Sequence, residues 1–440
     1  MAVSNIYVQA LQPINEFGHV SLSWQATDPN VSGSTSLQLD QVEIWAATVN
    51  DRAQAIKIVE ARNAAIHASV VEGATYFYWA RARDLSANFG DWYPLGANDG
   101  TRCRVVYANS AAQDLANVLI TQSVNANALT IALKTLSGDD PSPLNPIVAS
   151  FRNPAFYGGA VAYRQITAPL SLVISNGSTL GAINATPFRV WLELIDDAGT
   201  LRLAAKNCSN ALAIYPLSED GVTSTTAEGG AGAADNLGVA YSGVAVTNKP
   251  FRILGYVEWS SGLATAGVYN VAPDGVQLFG PGVKKPGDIV QTTLIRSAAV
   301  ATGTTIMPYD DTIPQNNEGT QFFSRDITPK SPVNILQNEY VLRCSAPTSG
   351  ASSPRVAAAL FQDNIVDALS AVWQWDLTGG ETPLNLTGEY QQLAMSTAQT
   401  TFKVRLGKDI AGTMTLNGIT GNRAYGGVLW SQHKVTELMG

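Results

Sequence analysis

The chain has 440 residues, a formal net charge of −8 and only 14% charged residues, against about 25% in an average soluble protein. That length suits about three domains, and a chain poor in charge but rich in Thr, Val and Gly excludes a helical bundle and suits β-sandwiches. The acidic balance, with no basic cluster longer than Lys284-Lys285, excludes nucleic acid as a partner.

The N-terminus, Met-Ala-Val-Ser-Asn-Ile-Tyr, has no basic segment followed by an apolar one, so no signal peptide is expected. No window approaches about 18 consecutive apolar residues. Cys103, Cys208 and Cys344 lie far apart, without Cys-x-x-Cys spacing or a nearby histidine pair. They read as free thiols of a protein made in a reducing cytoplasm, not as a zinc site or a disulfide set.

Residues 1–107 predict one β-sandwich, with strands at 4–12, 18–27, 39–48, 54–59, 64–70, 75–84 and 101–107. In His19-Val20-Ser21-Leu22-Ser23-Trp24 the apolar residues Val20, Leu22 and Trp24 share one face. The turn Val71-Glu72-Gly73-Ala74-Thr75-Tyr76 places a tyrosine where its hydroxyl can bond back to the corner backbone. Residues 108–127 predict a short helical connector, with a capping box at Ser110-Ala111-Ala112-Gln113 and a stripe of Leu115, Val118 and Leu119.

Residues 128–285 predict a middle β domain. Ala128–Lys134 alternates, and Phe188, Val190, Leu192 and Leu194 form the aliphatic face of a second strand. Ile195-Asp196-Asp197-Ala198-Gly199-Thr200-Leu201 reads as a hairpin turn, and Phe251–Trp259 as a further strand. The Gly/Ala-rich stretch 228–234 reads as a mobile loop. Residues 286–440 predict a distal jelly-roll-like sandwich of about nine strands. Its clearest strand is Thr401–Leu406, with Phe402, Val404 and Leu406 inward. The fold class is therefore all-β: a sandwich followed by two further β-sandwich domains.

Groups able to do chemistry are sparse. His19, His67 and His433 sit in separate strand-like segments and read as surface or edge-strand side chains. The acidic pairs Asp139-Asp140, Asp196-Asp197, Glu219-Asp220 and Asp310-Asp311 border Pro or Gly and read as turn residues. Neighbours on a strand point to opposite faces, so none is a catalytic dyad of the kind glycosidases use. Asp310, Asp311, Asn316, Asn317 and Glu318 crowd one loop with oxygen ligands that suit calcium, but at no calcium-loop spacing. No cofactor, metal site or catalytic residue is expected. Trp373-Gln374-Trp375 puts two indoles on the same side of a strand, with Phe361 and Tyr390 as possible neighbours. Two readings are open: a lining of the core or a subunit interface, or a surface patch that stacks on sugars. The binding candidates are Trp373, Trp375 and Tyr390.

Two stretches resemble known families. Trp24, the tyrosine turn, Asp84-x-x-x-x-x-Gly90-x-Trp92-x-Pro94 and Val42-Glu43-Ile44-Trp45-Ala46 with Asn50-Asp51-Arg52 resemble a fibronectin type III domain, in the version found in phage tail-tip and fibre proteins. Pro308-Tyr309-Asp310-Asp311-Thr312-Ile313-Pro314-Gln315-Asn316-Asn317-Glu318-Gly319 resembles the distal domain of tailed-phage tail fibres. So do Ala357–Asp363, Thr401–Arg405 and Gly426-Gly427-Val428-Leu429-Trp430, in the same order over roughly residues 286–440. The resemblance implies a non-enzymatic virion protein, a homotrimer joined to other tail or baseplate proteins by its N-terminal region. Its distal loops would contact a bacterial surface glycan or outer-membrane receptor. Two other classes compete with it: a purely structural virion adaptor or decoration protein, and a secreted carbohydrate-active enzyme with a fibronectin type III accessory domain.

Overall fold

The computed structural model describes residues 6–16, 19–27, 39–71, 74–105, 115–143, 145–152, 161–347, 353–376 and 382–440. Among them the chain is almost entirely β, and the helical segments are two short 3-10 turns, Arg52–Gln54 and Tyr425–Gly427. It divides into two compact units, residues 1–121 with 132–171, and residues 122–131 with 172–440.

The first unit holds the β-sandwich expected near the N-terminus. One sheet runs Tyr7–Glu16, His19–Thr27, Ala64–His67. The other runs Ile56–Ala61, Leu39–Ala47, Thr75–Asp84, Phe89–Tyr93, with Thr101–Arg104 also paired to Thr75–Asp84. Val20, Leu22, Val42, Ile44, Tyr78 and Ala80 fill the space between them. The tyrosine turn forms as expected: Val71 N donates to Tyr76 Oη at 3.1 Å. Residues 89–93, not among the expected strands, are a strand. The reason lies on the outer face. There Trp92 packs edge-on to Trp45, 5.7 Å between centroids, and the Arg81 guanidinium lies over both Phe89 (4.0 Å) and Trp92 (4.6 Å).

The connector is a correction. Residues 115–116 and 119–125 are strands, not a helix, and the capping-box residues 110–113 lie outside the described residues. Leu115-Ala116 pairs with Ile147–Arg152, so cross-strand bonding takes the place of the helical stripe.

The second unit begins with a six-stranded sheet ordered Thr225–Ala227, Ala240–Ser242, Thr200–Lys206, Phe188–Asp197, Phe251–Trp259, Gly275–Leu278. Phe188–Asp197 is central and covered on both faces, so Arg189, Trp191, Glu193 and Ile195 are buried along with the aliphatic set. Arg189 is matched there by Glu258, whose Oε2 accepts from Nε (3.0 Å) and Nη2 (2.6 Å), and by the Tyr256 ring at 4.2 Å. The Gly/Ala-rich stretch is tied down rather than loose. Glu228 accepts from Ser175 N and Oγ (3.0 and 2.8 Å), and Gly232 N donates to Asp235 at 2.6 Å.

Residues 289–438 form a second sandwich. One sheet is ordered Ile289–Ser297, Ser431–Leu438, Ile335–Ala346, Met414–Leu416, Ala301–Gly303, with Thr382–Leu393 on the other side of Ile335–Ala346. The facing sheet is Thr320–Ile327, Thr400–Lys408, Arg355–Gln362, Ser370–Trp375. Phe402, Val404 and Leu406 point inward as the alternation predicts, against Leu336, Tyr340, Val356, Ala358, Leu360 and Leu386. Ser370–Trp375 is left as the edge strand of the four-stranded sheet.

Candidate functional site

The outer face of the four-stranded sheet carries the site. Strand pairing sets Arg355 opposite Trp375, Ala357 opposite Trp373, and Ala359 opposite Ala371. These residues point away from the core, because Val356, Ala358 and Leu360 between them point into it. The segment 304–319 then crosses this face. Met307 N donates to Lys408 O at 3.0 Å, and its side chain is buried with Ala359 and Phe361. Arg405 donates to the carbonyls of Glu318 and Gly319, both at 2.7 Å. Pro314 O accepts from Ala368 N at 2.9 Å, and Gln315 Nε2 donates to Asp367 at 2.9 Å.

That anchoring sets Tyr309 among the exposed aromatics. Its ring meets Trp373 edge-on, 5.1 Å between centroids. The Arg355 guanidinium lies over the Tyr309 ring at 4.4 Å and the Trp375 ring at 4.8 Å. Asp409 holds Arg355, accepting from its backbone N at 2.9 Å and its Nη1 at 3.3 Å. The result is a continuous surface of Trp373, Tyr309, Arg355 and Trp375. Trp373 is 51% exposed, Tyr309 50% and Trp375 44%, so the indoles do not line the core. A shallow recess of about 450 Å³ adjoins it along the same strand, lined by Asp310, Asp311, Thr312, Ala368, Ser370 and Ala371 among others.

The other candidates fall elsewhere. Tyr390 does not join the two tryptophans. It belongs to Thr382–Leu393 in the opposite sheet, packs against the sandwich core and borders a separate recess with Ala211, Leu212, Gln337, Glu389 and Gln391. Phe361 shares the outward face but is buried beneath Met307. Tyr309 and Arg355 are the members that sequence reasoning missed. Tyr309 stands in the Pro308–Gly319 loop, but its partner Trp373 lies 64 residues on, on a strand.

The acidic pairs are engaged locally. Asp196 accepts from Gly199 N, Asp197 binds Arg202 and Lys249, and Asp140 binds Lys134. Asp310 accepts from the Thr312 hydroxyl (2.5 Å) and backbone N (2.9 Å), which hold its carboxyl below the ordinary value. In the same loop Glu318 accepts from Gln315 N, and Asn316 donates to Ile365 O. Among the described residues no three His, Cys, Asp or Glu converge as metal ligands do. Two histidines expected at the surface are buried. His67 Nδ1 meets Tyr78 Oη at 2.9 Å, and His433 Nε2 meets Asn338 Oδ1 at 3.1 Å. The three cysteines are free and buried. No helix among the described residues is long and apolar enough to cross a membrane.

No protein-family model matches the chain, and no curated protein does. Several solved structures share weak likeness. The structure of the infectious bursal disease virus Gx strain is 12% identical over 75% of this chain and 79% of that one, with a TM-score of 0.19. The VP2 subviral particle of the same virus is 11% identical with the same coverage and TM-score. The exo-β-1,3-galactanase of Phanerochaete chrysosporium is 9% identical over 99% and 96% of the two chains, with a TM-score of 0.17. At these TM-scores the likenesses carry no argument about what the chain does.

Proposed function

We propose that the chain is a non-enzymatic attachment protein of a tailed-phage virion, a tail fibre that holds host surface polysaccharide on the Trp373–Tyr309–Arg355–Trp375 surface. One observation carries this reading: large aromatic rings, about half exposed, are fixed on a rigid sheet by a guanidinium and an anchored loop. Ring faces suit the C–H faces of sugars, and a scaffold held in place before binding loses little entropy on binding. The sequence resemblance supplies the virion setting. The protein is made in the host cytoplasm, assembles as a homotrimer and joins tail or baseplate proteins through its N-terminal region. Threefold copies turn weak sites into useful avidity.

The test is saturable binding of fluorescent protein to host cells, with its mass in solution measured alongside. Trp373→Ala with Trp375→Ala is expected to keep the fold, with stability lowered only by the lost ring contacts, about 2 kcal/mol or less. It should lose binding by about 2 kcal/mol or more, roughly thirtyfold. Unchanged binding by this variant overturns the assignment of the surface. A monomer that binds no cells favours a structural adaptor, and shortening of the bound polysaccharide favours an enzyme.

A further inference from the structure

Resting on that reading, we infer that the ligand is a glycan chain without acidic groups, laid lengthwise along the edge strand Ser370–Trp375. It runs from the recess beside Asp310 and Asp311 to the tryptophan pair. Geometry gives the direction. Ala371, Trp373 and Trp375 alternate outward along one strand, and 371 to 375 spans about 13 Å at 3.3 Å per residue. The strand is the last in its sheet, paired only to Arg355–Gln362 among the described residues. Ala368 and Ala371 leave the recess open where larger side chains would fill it.

Charge gives the class. Arg355 is the cation of this surface, and it already carries partners. Its guanidinium lies over the Tyr309 and Trp375 rings, and Asp409 accepts from its Nη1. Nearby cations on the same sheet face are also engaged: Arg405 by the Glu318 and Gly319 carbonyls, Lys403 by the Asp363 carbonyl. Asp310 and Asp311 line the recess, and the Thr312 hydroxyl donates to Asp310. Ionised carboxylates are pure acceptors, suited to sugar hydroxyls or ammonium groups. A polyanion laid along this strand would meet like charge at Asp310 and Asp311, beside cations that already carry partners.

The test titrates the full-length protein with a panel of bacterial surface polysaccharides grouped as neutral, amino-bearing and acidic, following binding by calorimetry. Wild-type protein is expected to bind members of the first two groups. Acidic members should bind at least about tenfold more weakly, or 1.4 kcal/mol. Asp310→Asn with Asp311→Asn should shrink that gap to about threefold, with the fold checked by its melting temperature. Trp373→Ala should weaken binding of every group. Acidic polymers bound as tightly as neutral ones, and more weakly by Trp373→Ala, overturn the charge selection but keep the glycan reading. No binding in the panel that depends on Trp373 overturns both.

Discussion

Met307 sits on Gly407: a Cβ built on that glycine would stand 2.7 Å from the Met307 Cβ and 2.9 Å from its backbone N. The missing side chain lets the segment 304–319 lie flat on the sheet, and that contact sets the height of Tyr309 two residues later. Backbone atoms are in the way as well, so a rotamer change cannot make room. Gly407→Ala should therefore lift the loop, at a cost of about 1–3 kcal/mol. The expected outcome is a lower melting temperature together with weaker glycan binding, although residue 407 itself touches no ligand. Trp373→Ala should weaken binding with no such loss of stability.

Arg355 should not be replaceable by lysine. It lies over two rings while bonding Asp409, a planar geometry that an ammonium cannot reproduce. Partly exposed cation–π contacts contribute about 0.5–1 kcal/mol each. Arg355→Lys and Arg355→Ala should lose similar stability, within about 2 kcal/mol. Both should loosen Tyr309 and Trp375, seen as a faster tryptophan anisotropy decay. A fully active Arg355→Lys would show that charge alone is needed.

Burial pushes the imidazoles of His67 and His433 from the ordinary 6.5 down to about 4. For His433 the Arg325 charge adds to the effect. In the unfolded chain both take up a proton below about pH 6.5, whereas the folded chain resists until about pH 4. The unfolded state thus binds more protons across that window, and stability falls as pH drops through it. It is fully present above pH 6.5 and levels off below about 4. Each histidine contributes on the order of 3 kcal/mol at most. Urea unfolding at several pH values should show this slope, and His67→Gln or His433→Gln should flatten it.

Glu193 has the opposite sign. Its carboxyl is fully buried in the central strand, and burial raises its pKa despite the Lys206 charge and a 2.9 Å bond from the Thr223 hydroxyl. The folded state keeps this proton above the ordinary 4.5, so the group costs stability as pH rises beyond that value. Glu193→Gln keeps the acceptor for Thr223 and removes the buried ionisable group. It should raise stability at pH 7 by about 1–3 kcal/mol. No change in the unfolding midpoint at pH 7 would show that burial does not raise this pKa.

The alternation of apolar residues by itself determined the all-β class and the inward faces of His19–Thr27 and Thr400–Lys408. The Gly73-to-Tyr76 spacing determined the tyrosine turn. It also placed Trp373 and Trp375 on one side of one strand, because side chains two apart on a strand share a face. Whether the face of Trp373 and Trp375 meets solvent was not legible, since period-2 order is the same whether a strand is central or at an edge. Sheet order decided it. Phe188–Asp197 became central, burying Arg189 and Glu193, while Ser370–Trp375 became an edge and exposed its indoles. The surface also needs Arg355 across a strand pair and Tyr309 on a loop laid over the sheet. Such contacts depend on register and on Gly407 beneath Met307, long-range relationships that no local pattern records.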